Sequence, residues 1–331
     1  MPKFASIDVG SNTVRLLVAN ALGSTAYNPL YQEQEITRLG EGFLMKGYLD
    51  SKAMERTANT IDRFCRIARD FQVQEIYAAS TGVVREAGNR EEFRSMVREK
   101  AGIELTIISE EEEGRLSLLG VHASLGRPSG RFLLVDIGGG STELILAHGP
   151  LPELIKSLPL GVVKLTEDYL RSNPPNPSEL GALTLFVLHI LSWTREGLEG
   201  LEGLPLVGTA GTPTTLAAID MEMRVYDPMR VNGYLLKKER LEEILSLLIS
   251  LPLEDRMCLP GLEPGRADVI IPGTIIVLEI MRKYGFQQIT VSDGGLREGL
   301  LLDLLARMGS KRLDRGEGVG YKGTTMFKSP S

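Results

Sequence analysis

Two stretches of this chain align on one another without a gap. Phe4–Ala19 (FASIDVGSNTVRLLVA) lies against Phe132–Ala147 (FLLVDIGGGSTELILA) at a constant offset of 128, so that Asp8 meets Asp136 and Gly10 meets Gly138. In each copy an apolar strand ends in an acid, a polar turn bearing glycine follows, and a second apolar strand returns, the pattern of a hairpin. Solenoid repeats run to roughly 20–50 residues, so a period this long implies instead two halves of related fold. Each half opens with a hairpin that offers its turn to a shared cleft. A chain of 331 residues is long enough for two such halves, each burying its own core.

Composition narrows the setting. Hydrophobic residues at 43% and charged residues at 24% are ordinary for a globular chain and exclude one that is largely disordered. The 37 Lys and Arg against 43 Asp and Glu leave a net charge of −6. With no global positive field, non-specific nucleic-acid binding is not expected, and a polyanionic partner would require cations concentrated locally. Cys65 and Cys258 lie far apart and form no C-x-x-C pair, so neither a disulfide framework nor a cysteine zinc site is available. The N-terminus shows no signal-peptide pattern, and the longest apolar run, Val269–Ile280, is interrupted by Pro272, Gly273 and Glu279. A soluble cytoplasmic protein with no membrane partner is expected.

Periodicity and breakers predict strands at Lys3–Asp8, Thr13–Asn20, Glu75–Ala79, Glu104–Ile108, Phe132–Asp136, Thr142–Ala147, Pro205–Val207 and Gln288–Val291. Helices are predicted at Ser51–Phe71 with Ser51 as cap, Arg90–Lys100 capped by Asn89, and from Ser109 to about Gly126 with Glu112 in capping-box position. Further helices are predicted at Pro177–Glu199, Thr214–Asp220, Lys238–Ser250, Arg266–Tyr284 and Leu296–Met308. A domain boundary is expected at 125/126, where Gly126-Arg127-Pro128 breaks the chain, with a disordered tail over 311–331.

Glycine-rich turns expose backbone N–H groups that can approach phosphate oxygens closely. Three such turns are present: Gly10-Ser11-Asn12-Thr13, Gly138-Gly139-Gly140-Ser141-Thr142, and Gly208-Thr209-Ala210-Gly211-Thr212. None is a P-loop or a G-x-G-x-x-G fingerprint. One alone would equally be a plain turn; three, two of them related by the repeat, point to a phosphate cleft. Asp8 and Asp136 would face each other there, and carboxylates beside phosphates require a cation, for which Mg²⁺ is the natural candidate. Their alternative role is to stabilise their own turns. Beyond the turns the halves diverge in charge: Arg15 would hold a phosphate oxygen, and Glu143 would bind metal or position a nucleophile. Glu113 belongs to a run of four acids at a helix start, commonly explained by the helix dipole. Gly114 beside it and the apolar face one turn on turn it inward, towards the junction of the halves, where it could activate water. Arg85 and Arg266 are further candidate phosphate ligands. His122, His148 and His189 show no ligand spacing, and no G-x-S-x-G is present.

Taken in order, D-V-G-S-N-T-V-R (8–15), I-S-E-E-E-E-G-R (108–115), V-D-I-G-G-G-S-T-E (135–143), G-T-A-G-T-P-T-T-L-A-A (208–218), Y-D-P-M-R-V-N-G (226–233) and S-D-G-G-L-R-E-G (292–299) closely resemble the exopolyphosphatase / guanosine pentaphosphate phosphohydrolase family of the actin-like ATPase and sugar kinase superfamily. The resemblance implies an α/β chain of two ribonuclease-H-like domains with mixed sheets flanking an interdomain cleft, the last helix packing back on the first domain. It also implies Mg²⁺-dependent hydrolysis of a terminal phosphoanhydride in inorganic polyphosphate or guanosine pentaphosphate. By that resemblance Glu113 is the catalytic base, and Asp136 and Glu143 position metal and water. Asp8, Gly10, Ser11, Asn12 and Arg15 form the first phosphate loop and Gly138–Thr142 the second, with Arg85 a further contact. A homodimer is the assembly it allows. The family's longer members continue into a helical HD-type domain, for which this chain leaves no room, and Asn232 stands where members commonly carry His. An ATP-dependent small-molecule kinase and a non-catalytic guanosine tetraphosphate or polyphosphate sensor are the rival readings.

Overall fold

The computed structural model describes residues 1–43, 47–194 and 197–314. Strands β1 (Lys3–Val9), β2 (Thr13–Ala21), β3 (Tyr27–Ile36), β4 (Glu75–Ser80) and β5 (Leu105–Ile107) form one mixed sheet in the order β3-β2-β1-β4-β5. Strands β6 (Arg131–Ile137), β7 (Thr142–His148), β8 (Leu151–Leu158), β9 (Leu206–Thr209), β10 (Leu235–Lys237) and β11 (Gln288–Val291) form a second, in the order β10-β11-β9-β6-β7-β8. In both, an antiparallel three-strand meander is extended on the side of its first strand by two parallel strands, and the second sheet adds the antiparallel β10 at that edge. The duplication reaches the register itself. Asp8 pairs with Arg15 and Asp136 with Glu143, and a bulge interrupts the ladder at Val18/Ala19 and again at Leu146/Ala147, 128 residues on.

The third strand of each meander, β3 and β8, has no counterpart among the expected strands. Each carries a proline, Pro29 or Pro152, that pairs with Ala19 or Ala147 right beside the bulge, whose extra residue, Leu30 or Glu153, lies on the edge strand itself. Read locally, a proline breaks a strand; at a sheet edge beside a bulge it removes no needed donor.

On the helical side, α1 (Ser51–Asp70) and α3 (Arg90–Ala101) cover the first sheet, with the short α2 (Gly82–Glu86) between them in sequence. Asp50, not Ser51, caps α1, its carboxylate accepting from the amides of Lys52 and Ala53. Asn89 makes no cap bond; its amide exchanges two hydrogen bonds with the Leu49 backbone and so ties the preceding loop to α3. The helix α4 (Glu110–Ser124) starts on Ser109, whose Oγ accepts from Glu112 N at 3.1 Å. The return half of a capping box is replaced by a Glu112–Arg115 pair at 2.8 Å.

In the second half come α5 (Val162–Tyr169), α6 (Pro177–Ser192), α7 (Gly211–Asp220), α8 (Lys238–Ser250) and α9 (Ile270–Tyr284). The single helix expected over Arg266–Tyr284 is divided: a 3₁₀ turn spans Pro264–Arg266, and α9 begins at Ile270. Pro272 then falls in the first turn, where its missing N–H costs nothing. The last helix, α10 (Leu296–Asp314), packs against β1, β2 and β4 on one side and α4 on the other, while α4 packs against β6, β7 and β8. The order of layers is therefore first sheet, α10, α4, second sheet. Of the tail expected over 311–331, the first four residues continue α10, and 315–331 lie outside the described residues.

A candidate active site in the cleft

The site forms where the carboxyl ends of β1, β4, β6 and β9 face one another, the usual location of ligands in sheets of this kind. The first two loops share one turn. Gly10 N donates to Thr13 O at 3.0 Å, and Gly138 N donates to Ser141 O at 2.9 Å. They also touch: a Cβ on Gly139 would stand 3.1 Å from Ser11 Cβ, and one on Gly140 would stand 3.1 Å from Ser11 Oγ. The third loop runs from β9 into α7. Ala210 there has φ of 69°, a left-handed conformation costing on the order of 1 kcal/mol in a residue other than glycine. A Cβ at Gly211 would lie 2.0 Å from Arg266 Nη1, so any side chain there would displace the guanidinium. The guanidinium rests on bare backbone.

These loops enclose a cavity of about 90 Å³ lined also by Asp8, Arg15, Glu113, Asp136 and Arg266. Within it lie Gly10–Thr13, Gly138–Ser141 and Thr209–Thr212. Four of the sequence candidates stand one layer back. Gly208 sits inside β9, between Val135 and Val291. Thr142 Oγ1 is spent on Leu160 O at 2.6 Å. Glu143 is buried behind Asp136 and accepts from Ser141 Oγ at 2.7 Å and Ser157 Oγ at 3.0 Å. Arg85 contacts Glu113 rather than the cavity, with Nη1 3.2 Å from Glu113 Oε2 and 2.9 Å from Ile108 O.

Negative charge is crowded here. Burial, then the neighbouring Asp136, raises the Glu113 carboxyl to about 7, while Arg85 opposes the rise. Burial also raises Asp8 to about 6, opposed by Arg15 at 3.8 Å and reinforced by Asp136. Asp136 is pushed up by burial and held back by Ser117, whose Oγ donates to Oδ2 at 2.6 Å. Glu143 is pushed well up by burial, with Glu113 and Asp136 adding to it. Arg15 reaches the cavity from the first half and Arg266, buried and paired with Glu263 at 2.9 Å, from the second. The arrangement can hold an oxyanion between two arginines and three backbone loops, with a carboxyl that ionises near neutrality beside it.

Sequence reasoning assigned no role to Ser117 or Ser157. Ser117 lies one helical turn beyond Glu113, a spacing that could have flagged it; Ser157 lies on β8, which was not anticipated. Asn232 links two distant segments, donating to Ser124 O at 2.8 Å and accepting from Asp293 N at 3.1 Å.

The sequence profile of the Ppx/GppA phosphatase family matches residues 18–308. The chain belongs to the Ppx/GppA phosphatase family. Among relatives of this Ppx/GppA chain, exopolyphosphatase 2 of Mycobacterium tuberculosis (strain ATCC 25618 / H37Rv) is 32% identical over 316 residues, covering 92% of this chain and 99% of the relative. Exopolyphosphatase 1 of Mycobacterium leprae is 32% identical over 303 residues, covering 89% and 87%. The crystal structure of the Aquifex aeolicus family member superposes with a TM-score of 0.78 at 32% identity, covering 93% of this chain and 98% of that one. Two mixed sheets with flanking helices are thus the family fold, as the sequence resemblance implied. Among the described residues, no helix is long and apolar enough to cross a membrane.

Proposed function

We propose that this Ppx/GppA chain is a Mg²⁺-dependent exopolyphosphatase, releasing terminal orthophosphate from inorganic polyphosphate and converting guanosine pentaphosphate to tetraphosphate by the same chemistry. The observation that carries the reading is the buried Glu113 carboxyl, shared by one small cavity with two repeat-related glycine turns and two arginines from opposite halves. The names of the relatives support polyphosphate as the substrate class. Cytoplasmic location and a homodimer belong to the proposal on the family resemblance alone.

The donor set suits a hard divalent cation that keeps water and substrate oxygens in its shell. Among the described residues no group of three or more potential ligands is preassembled, which disfavours an all-protein cage. Yet the cavity holds Asp8 and Asp136, both raised by burial and both lacking a full counter-charge, and the Thr13 hydroxyl on its wall has no partner. Asp8 and Asp136 would hold Mg²⁺, with Glu143 behind them; the ion would neutralise phosphate charge and support the leaving oxygen.

The chain's own groups do the rest. Backbone N–H groups of the two hairpin loops and the guanidinium groups of Arg15 and Arg266 fix the terminal phosphates, so that charge is already stabilised where it spreads. Glu113 accepts a proton from a water in line with the scissile P–O bond. Arg85 orients that carboxylate and limits the rise of its pKa. Ser117 and the Ser141/Ser157 pair orient Asp136 and Glu143. Phosphate release from polyphosphate by Glu113→Gln tests the assignment. A loss of about 10²–10⁴-fold in kcat with KM little changed is expected, and a near wild-type rate would remove Glu113 from the mechanism.

A further inference from the structure

Arg38 follows β3 in the first half of the chain, and Asp268 precedes α9 in the second. Their side chains meet across the cleft: Arg38 Nη1 lies 2.8 Å from Asp268 Oδ2, and Arg38 Nη2 donates to Gly265 O at 3.3 Å. Nearby, Gly42 N donates to Glu167 Oε1 at 3.0 Å, a second bridge between the halves. The backbone beneath Arg38 is tied to the first phosphate loop. The amides of Thr37 and Arg38 both donate to Asn12 O at 3.0 Å, and Gly40 N donates to Ser11 O at 2.8 Å. On the far side, Gly265 and Asp268 bracket Arg266, whose guanidinium lies in the cavity. The bridge therefore joins the first phosphate loop to the arginine that faces it. Arg38 makes it at a φ of 51°, a left-handed backbone that the surrounding contacts must hold in place.

Asp268 is only half used in this arrangement. Its Oδ1 is buried without a hydrogen-bond partner, and so are Nε and Nη1 of Arg256 in the same half. Arg256 is 4% exposed. Burial disfavours its charge, and Asp268 is the first group to offset that effect, so the carboxylate lies near the guanidinium although the two form no ion pair. A buried guanidinium left unsatisfied is costly. Asp268 Oδ1 and the Arg256 guanidinium are thus complementary neighbours, each with buried polar atoms that lack a partner in this arrangement, although Asp268 as a whole is about a quarter exposed.

We propose that Asp268 is an exchangeable latch: with the cleft closed it holds Arg38 of the opposite half, and with the cleft open it turns to Arg256 of its own. Opening then gives up one ion pair and gains another, which keeps the two states close in free energy. Arg15 and Arg266, facing each other as like charges, favour the open state until an anion lies between them. Arg38, Asp268 and Arg256 are positioning residues that act through the first phosphate loop and Arg266. The role of the anion rests on the function proposed above; the exchange itself does not.

Spin labels at Glu41→Cys and Asp168→Cys, exposed on either side of the cleft, in a Cys258→Ser background would report the distance between the halves by pulsed electron resonance, with and without inorganic tripolyphosphate. Arg38→Ala should deplete the short-distance population and raise KM for tripolyphosphate about fivefold with kcat within about twofold, the scale of a half-exposed ion pair. Arg256→Met should do the reverse, enriching the short distance and lowering KM. In an Asp268→Asn background Arg256→Met should have no effect. Unchanged distances in Arg38→Ala, or an Arg256→Met effect that survives Asp268→Asn, would overturn the latch. If distances respond as expected while tripolyphosphate is neither bound nor hydrolysed, the latch stands and the substrate assignment falls.

Discussion

The helices α4 and α10 cross through glycine, and the position of Glu113 depends on that crossing. A Cβ on Gly120 would lie 1.9 Å from Gly295 O and 2.8 Å from Gly295 C, and one on Gly299 would lie 1.9 Å from Leu116 O. Ordinary Cβ contact begins near 3.4 Å, so Gly120→Ala must part the two backbones by about 1.5 Å. The obstructing atoms are main chain and cannot swing aside. Glu113 lies about two turns upstream on α4, whereas Asp8 is carried by β1, against which α10 packs. The shift therefore separates the proposed base from the opposite wall of its own cavity. Overpacking of this kind costs about 1–3 kcal/mol, and a misplacement of about 1 Å at the reacting centre costs on the order of 10²-fold in rate. We expect Gly120→Ala to lower Tm by several degrees and kcat by about 10²-fold with little change in KM. Steady-state phosphate release from polyphosphate and a thermal melt measure both. Gly181→Ala, with open space around the new methyl, is the control. A Gly120→Ala protein with normal kcat would show that close approach of these helices does not set the geometry of the base.

Two further outcomes follow from the crowded carboxylates. Asp8 has a folded-state pKa raised to about 6, so its contribution to stability is full below the unfolded value near 4 and is lost as pH rises through 6. In metal-free and phosphate-free protein, Asp8→Asn should stabilise by on the order of 2 kcal/mol at pH 8 and hardly at all at pH 4; equal Tm differences at the two pH values would contradict the shift. Removal of divalent cations by a chelator should bring phosphate release down to background, and added Mg²⁺ should restore it. Full turnover in the chelator would rule out the metal role assigned to Asp8 and Asp136.

The gapless repeat was enough to foresee two related halves, because a duplicated hairpin carries its own alternation of apolar and polar residues and its own turn glycines. It located Asp8, Asp136 and the first two cavity-lining loops, since these lie on the turns that the repeat defines. Edge strands β3 and β8 escaped notice: their prolines and mixed polarity make sense only beside a bulge and with one side unpaired. Glu113 was singled out by the small residue next to it and by its inward-facing helix, but its four-acid neighbourhood read equally as a solvated helix start. What chose between these was burial between two sheets some 130 residues apart in sequence.

Arg85 illustrates the remaining limit. Its position after a strand end suggested a phosphate ligand, and the fold sets it against Glu113, 28 residues away. Ser117 and Ser157 reach their carboxylates over separations of 19 and 14 residues, and Arg38 reaches Asp268 over 230. Local pattern determines which backbone turns can bind phosphate, because turn geometry is a property of a few adjacent residues. Which side chains share a buried cavity, and hence which carboxyls repel one another and which arginines they can hold, depends on contacts closed only when both sheets and the two helices between them have packed.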